Sequence, residues 1–85
     1  MKGPLSFSVN HEGRGGMVTC RTDTGQVELA LEMAGNGFCV WVRGARVRTL
    51  AGKHRHLRPA ERQLLLDELR AWLDKTQRAN WLIEV

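Results

Sequence analysis

Apolar and polar residues alternate along much of the first half of the chain, which is typical of strands with one buried face. The clearest case is residues 27–33, where each odd position is aliphatic or Met and each even position is Glu or Ala. Breaks that contain Gly or small polar residues separate the alternating segments. The segments that share the pattern are 5–9, 17–21, 26–33, 38–43 and 46–50. This half of the chain therefore predicts a β-meander of four to five strands.

The lengths of the breaks predict which residues face each other in the meander. A turn at 22–25, a loop at 34–37 and a two-residue turn at 44–45 each place apolar residues opposite apolar residues. A slip of one residue would turn every side chain to the opposite face, so the agreement of the three turns favours one register. The expected neighbours are Cys20–Val27, Val18–Leu29, Met33–Phe38, Leu31–Val40, Leu29–Val42, Ala30–Trp41, Val42–Val47 and Trp41–Arg48.

The period changes after Arg58. Residues 59–77 carry leucines and a tryptophan three or four positions apart, which indicates an amphipathic helix. Pro59 suits the first turn of a helix, and Glu61 is favourable near a helix N-terminus. A long C-terminal helix is therefore expected to pack its apolar stripe on the sheet.

Alternation returns in residues 81–85, after a break at 78–80, and predicts a last short strand. The roughly 30 residues between Leu50 and Trp81 are enough for a crossover, so this strand is able to pair parallel with a neighbour. The expected fold is a single α+β domain spanning residues 1–85. It comprises an antiparallel β-meander of four to five strands, one long C-terminal helix packed on one face, and a final short β-strand.

The register also predicts the core and the state of the two cysteines. Cys20 should point inward and Cys39 outward beside Trp41, so no disulfide is expected between them. The expected core residues are Phe7, Val18, Val27, Leu29, Leu31, Val40, Val42, Leu65, Leu69, Trp72, Leu73 and Ile83.

Charge is concentrated in one segment. The 85-residue chain has a formal net charge of +4, and 42% of its residues are hydrophobic, which is typical of a globular protein. Residues 43–58 contain six Lys or Arg and no acid, so the rest of the chain is slightly acidic. Attraction to an acidic partner should therefore act through this segment.

The N-terminal residues do not form the apolar block of a signal peptide, and no run approaches the roughly 18 apolar residues of a membrane span. We therefore expect a cytoplasmic protein without a membrane partner. The Arg-rich, Lys-poor composition is typical of a GC-rich bacterial genome.

Residue patterns for catalysis are nearly absent. His54 and His56 lie two positions apart, but the surrounding arginines disfavour a metal cation, and exposed polar residues of a loop explain them equally well. The glycines of residues 13–16 lack the spacing and context of a phosphate-binding loop. The sequence thus predicts no enzyme, no metal site, no cofactor and no small-molecule substrate. The rival interpretation is a small hydrolase or nuclease that uses one of the two histidines.

A binding surface is predicted on the sheet face that the single helix cannot cover. The residues expected to point outward there include Met17, Ala30, Cys39, Trp41, Leu50 and Leu82. Three arginines, Arg43, Arg46 and Arg48, should surround Trp41, with Lys53 and Arg55 alongside in a mobile basic loop over 53–58. A tryptophan among arginines combines an apolar anchor with a charged rim.

Three interpretations of this surface remain open. A protein partner, or a second copy of the chain, is favoured over nucleic acid because Glu28 and Glu32 on the same face oppose phosphate. The nucleic-acid alternative would use the whole basic segment from Arg43 to Arg58. In the third interpretation Trp41 stacks on Arg48 and merely shields the sheet.

The order of elements over residues 17–85 resembles the small single-domain immunity proteins of bacterial polymorphic toxin systems. The matching portions are PAERQLLLDELRAWL, residues 59–73, and WLIEV, residues 81–85. Other small α+β proteins of bacteria and phages have the same layout. The resemblance implies a non-catalytic protein–protein role, immunity-like or adaptor-like, and no residue role is carried over from it.

Overall fold

The structure is a computed structural model that describes residues 1–35, 37–76 and 80–85. Its described residues form an α+β fold, as the sequence predicts, with a mostly antiparallel sheet and one C-terminal helix. The elements in chain order are β1 (Ser6–Glu12), β2 (Gly15–Thr22), β3 (Gly25–Ala34), β4 (Gly37–Trp41), β5 (Arg46–Thr49), β6 (His54–His56), α1 (Pro59–Thr76) and β7 (Asn80–Glu84).

The β2–β3 and β3–β4 hairpins have the predicted register. Cys20 pairs with Val27 and Val18 with Leu29, while Leu31 pairs with Val40 and Ala30 with Trp41. The breaks are shorter than expected: β1 continues through residue 12 and β2 begins at residue 15, and the β3–β4 ladder reaches residues 34 and 37. Part of that second loop, residue 36, lies outside the described residues, as do residues 77–79 at the predicted break before the last strand.

The prediction that the turn at 44–45 pairs β5 with β4 is wrong. β5 does not pair with β4; it pairs with the start of β3, where Val27 lies opposite Val47. The reason is that β4 already has a partner on each edge. β3 occupies one edge, and β7 occupies the other as a parallel neighbour, which confirms the crossover. Val42 and Arg43 both donate backbone hydrogen bonds to the Glu84 carbonyl, at 2.7 and 3.1 Å.

A long strand accommodates this arrangement. β3 has ten residues, and along one edge it pairs first with β5 through Gly25–Val27 and then with β4 through Ala30–Ala34. β6, which the sequence predicted as a loop, pairs with β5. The two strands β4 and β5 therefore lie one after the other along the same edge of β3.

The helix begins where the sequence predicts. The Glu61 carboxylate accepts a hydrogen bond from the Arg58 backbone N–H at 2.9 Å, which is one half of a capping box. The leucines of α1 pack on one face of the sheet, and the ring of Phe7 stacks on Trp72 with centroids 5.4 Å apart. No helix in the described part of the chain is long and apolar enough to cross a membrane.

The predicted core is confirmed. Phe7, Trp72 and Ile83 are partly buried, and every other predicted core residue is buried. Val47 and Leu66 also belong to the core. Both cysteines are free and buried, and Cys39 is only 8% exposed although it lies on the face away from the helix. Burial raises the pKa of the Cys20 thiol to about 12, with a further contribution from Glu68.

Candidate binding face

The helix packs on one face of the sheet, and no other described element covers the opposite face, which we call the outer face. Because strand residues alternate between faces and Val27, Leu29 and Leu31 are buried under α1, the even-numbered residues of β3 point outward. Apolar side chains are exposed on this face: Met17 is 39% and Leu82 is 65% exposed. The outer face is therefore a mixed apolar and polar surface open to a partner.

Trp41 lies on the outer face at the C-terminal end of β4, one strand in from the β7 edge. Cross-strand pairing places it beside Ala30 on one side and Glu84 on the other, and Met17 lies beyond Ala30. The Trp41 ring is half-buried, and its buried indole N–H has no acceptor among the described residues. The small side chain of Ala30 leaves a shallow apolar area between the tryptophan and the methionine.

A basic row crosses the outer face at one end of the sheet. Arg21, Gln26, Arg48 and His54 are successive neighbours across β2, β3, β5 and β6. They line an open cleft of about 600 Å³. Neither arginine forms an ion pair within the described residues. The row is therefore available to an anionic group. Its Arg21–Gln26 half lies outside the basic segment 43–58, and only strand pairing brings the two halves together.

Arg46 and Arg48 share the outer face with Trp41, but they lie at different distances from it along the strand direction. Arg48 lies beside Gln26, Arg46 is two residues nearer, and Trp41 lies beside Ala30. At about 3.3 Å per residue along β3, Arg46 is roughly 7 Å and Arg48 roughly 13 Å from the level of Trp41. Trp41 and Arg48 are therefore not cross-strand neighbours, and no stacking between them occurs among the described contacts.

Arg43 and Lys53 lie at the borders of this face. The exposed Arg43 follows β4, and its Nε donates to the Val85 carbonyl at 3.2 Å. Lys53 lies in the β5–β6 turn, where its carbonyl accepts from the Thr49 N–H at 2.8 Å. Lys53 is exposed, and Leu50 in the same turn is 84% exposed. The turn backbone is thus fixed while its basic and apolar side chains reach solvent.

Arg55 is a correction to the predicted surface. β6 pairs it with Val47, whose side chain is buried in the core, so Arg55 points to the helix side of the sheet. There its two terminal nitrogens donate to the two oxygens of Glu61, each at 2.7 Å. The residue expected in a mobile loop instead connects β6 to the start of α1.

The groups around Glu61 keep its carboxyl ionised. Hydrogen bonds from Arg55 and from the Arg58 backbone lower the pKa of the Glu61 carboxyl to about 2, against the opposing effect of burial. The Met1 ammonium lies 3.8 Å from the same carboxylate. This cluster is structural, because it closes the helix start against β6 and the N-terminal residues.

Other candidate chemistry can be located on the same face. His54 and His56 point outward from β6 beside Arg48 and Arg46. In the described part of the chain no group of His, Cys, Asp or Glu is placed to hold a metal ion. Comparison of the chain with known protein families, with curated proteins and with solved structures finds no match.

Proposed function

We propose that this chain is a non-catalytic binding module whose outer face docks on an acidic surface of another protein. Trp41 is the apolar anchor of the contact, and Arg43, Arg46, Arg48 and Lys53 form its charged rim. The observation that carries the proposal is the combination, on the outer face, of a half-buried tryptophan and arginines that form no ion pair with any described residue. Arg55 is left out because Glu61 already binds it.

Charge supports an acidic partner. The ion pairs among the described residues involve Met1, Arg55 and their carboxylates, and none involves a rim residue. Guanidinium groups bind carboxylates with two parallel hydrogen bonds, and a rim of charge sets the association rate and the choice of partner. Acids also lie on this face: Glu84 is the strand neighbour of Trp41, and β3 contributes Glu32 and Glu28, which accepts a hydrogen bond from Gln26 at 2.9 Å. These acids limit the area over which a phosphate backbone would be attracted.

The mode of action is occlusion. A sheet face with one aromatic anchor covers a partner's surface without changing it chemically, as an immunity-like or adaptor-like protein does. The resemblance of the helix and last strand to immunity proteins is in line with this role.

Nucleic acid is the second candidate, and one observation favours it. The row from Arg21 to His54 lines the open cleft of about 600 Å³, where a phosphate would meet basic groups from three strands. Single strands also need aromatic stacking platforms. Trp41 is the aromatic residue of this face, and it lies roughly 13 Å from Arg48 along β3. Protein is therefore the preferred partner.

The test is capture from a bacterial lysate with and without nuclease, followed by affinity measurement with the purified partner. The baits are the wild type, Trp41→Ala, Arg48→Glu and the control Arg14→Glu, which changes an exposed arginine in the β1–β2 turn. We expect nuclease-resistant capture of a protein, and a loss of about 2 kcal/mol or more for Trp41→Ala. Arg14→Glu should bind as the wild type does.

Two results would contradict the proposal. Equal affinity of the wild type and Trp41→Ala would remove Trp41 from the contact. Recovery of nucleic acid alone, with affinity falling by about 10³ between low and moderate salt, would establish the second candidate.

A further inference from the structure

The free edge of the sheet at β7 has a defined hydrogen-bonding pattern. β7 pairs with β4 on one side, and no described strand pairs with its other side. The Glu84 carbonyl points toward β4, where it accepts from Val42. Because backbone groups of successive residues alternate in direction, the N–H and C=O groups of Trp81 and Ile83 point to the free edge. Two residues of β7 are therefore ready to pair with another strand.

β7 carries few of the features that normally protect an edge strand. It contains no Lys, Arg or Pro, and its outward-facing Leu82 is 65% exposed. The buried indole N–H of Trp81 has no acceptor among the described residues. At the opposite edge of the sheet, β1 places Ser6 and Ser8 on its outer face and is more polar. The β7 edge is therefore the better place for strand addition.

A groove runs between this edge and the helix. It has a volume of about 440 Å³ and is lined by Arg70, Leu73, Asp74 and the β7 residues 80–83. Arg70 and Asp74 are one helical turn apart, so the α1 side of the groove presents one positive and one negative charge along its length. An occupant with charges of one sign would be attracted to one of these two residues and repelled by the other. A surface that places an acid opposite Arg70 and a base opposite Asp74 is attracted to both.

We propose that two copies of this chain associate by antiparallel pairing of their β7 strands around a two-fold axis at Leu82. This proposal is independent of the function proposed for the outer face. Trp81 then forms a hydrogen-bonded pair with Ile83 of the second copy, and Ile83 with Trp81. Leu82 faces Leu82 of the second copy in the closer, non-hydrogen-bonded type of pair, with Cα atoms about 4.5 Å apart. The most exposed apolar residue of β7 is thereby covered.

The groove supports a second copy rather than an unrelated peptide. A two-fold interface is self-complementary, and here it sets the two α1 helices antiparallel on the same side of a continuous sheet. The axis reverses the order of charges, so Arg70 of each copy faces Asp74 of the other. Both outer faces remain uncovered and point the same way, so the dimer offers two binding faces to a partner.

Sedimentation velocity over a concentration series tests the association. Leu82→Glu places two like charges opposite each other and should raise the dimer dissociation constant at least about tenfold. The matched control Met17→Glu changes an exposed apolar residue on the same face, away from β7, and should leave the constant unchanged. Arg70→Asp should weaken the dimer, and adding Asp74→Arg should restore it because the charges are then exchanged on both copies. Circular dichroism verifies that each variant is folded.

A disulfide test reads the register directly. Leu82→Cys, in a Cys39→Ser background because Cys39 is the strand neighbour of Leu82, should form an intermolecular disulfide under mild oxidation. Met17→Cys in the same background should not. A wild type that stays monomeric at millimolar concentration, a Leu82→Glu variant that dimerises as the wild type does, or a charge exchange that restores nothing would overturn the proposal.

Discussion

Glu61→Gln removes the charge at the start of α1 while keeping the shape of the side chain. In the structure the Glu61 carboxylate is 9% exposed and accepts two hydrogen bonds of 2.7 Å from Arg55 and one of 2.9 Å from the Arg58 backbone. The glutamine keeps one acceptor oxygen for Arg58 but loses the charge-assisted pair. The variant should therefore destabilise the contact between β6, the helix start and the N-terminal residues.

The magnitude follows from the pKa. The pKa of Glu61 falls from its ordinary value of 4.5 to about 2. At about 1.4 kcal/mol for each unit of pKa, the ionised form contributes at most roughly 3 kcal/mol to the free energy of unfolding. Arg55 is 32% exposed, so solvent screens the pair and we expect about 1–3 kcal/mol.

The sign sets the pH window. A carboxyl group with a lowered pKa stabilises the fold above its unfolded pKa, and that stabilisation is lost as the pH falls through the folded value. The difference between wild type and Glu61→Gln should therefore be full at pH 7 and should shrink between pH 4.5 and 2. Urea unfolding at pH 7 and near pH 2.5 measures both differences.

The matched control is Asp67→Asn, which changes an exposed acid on the same helix that accepts a hydrogen bond from Gln63. Its effect should stay within about 0.5 kcal/mol. A Glu61→Gln difference of the same size at both pH values, or one no larger than that of the control, would refute the reasoning.

Three further predictions concern packing and thiol reactivity. Leu69→Ala should cost about 2–5 kcal/mol in urea unfolding, because Leu69 is fully buried between α1 and the sheet; an unchanged midpoint would place it outside the core. Cys20 should stay unmodified by a thiol reagent at pH 8 until the protein unfolds, because burial raises its pKa to about 12; modification in the native state would contradict the burial. Gly37→Ala should weaken the β4–β7 pairing because its Cβ would overlap the Asn80 carbonyl, and amide exchange in β7 should accelerate; unchanged exchange would count against the pairing.

Local interactions account for the part of the fold that the sequence predicts. The turns between β2 and β3 and between β3 and β4 are short, so alternation and turn length together set the register of these three strands and the inward face of each. The start of α1 is likewise local, since Pro59 and the Glu61–Arg58 hydrogen bond lie within one turn. The position of Trp41 on the outer face follows from the same alternation.

Long-range competition for strand edges decides the rest. Val42 and Val47 are both fully buried, so the apolar pattern by itself does not distinguish a β5–β4 pairing from the observed β5–β3 pairing. β7 arrives from the far end of the chain and occupies the free edge of β4, which leaves β5 to pair with the start of β3. This pairing then moves Arg48 away from Trp41 and brings it beside Gln26.

The sequence of the basic segment, residues 43–58, likewise does not show which of its charges are paired. Its sequence contains six Lys or Arg without an acid, and nothing local distinguishes Arg55 from its neighbours. Only the formation of β6 turns Arg55 to the helix side, where Glu61 neutralises it, while Arg46 and Arg48 remain on the outer face. The sequence by itself therefore determined the other strands, the helix and the apolar face, but not β6. The tertiary structure decided which charges remain unpaired, because an ion pair between distant segments depends on which strand occupies each edge of the sheet.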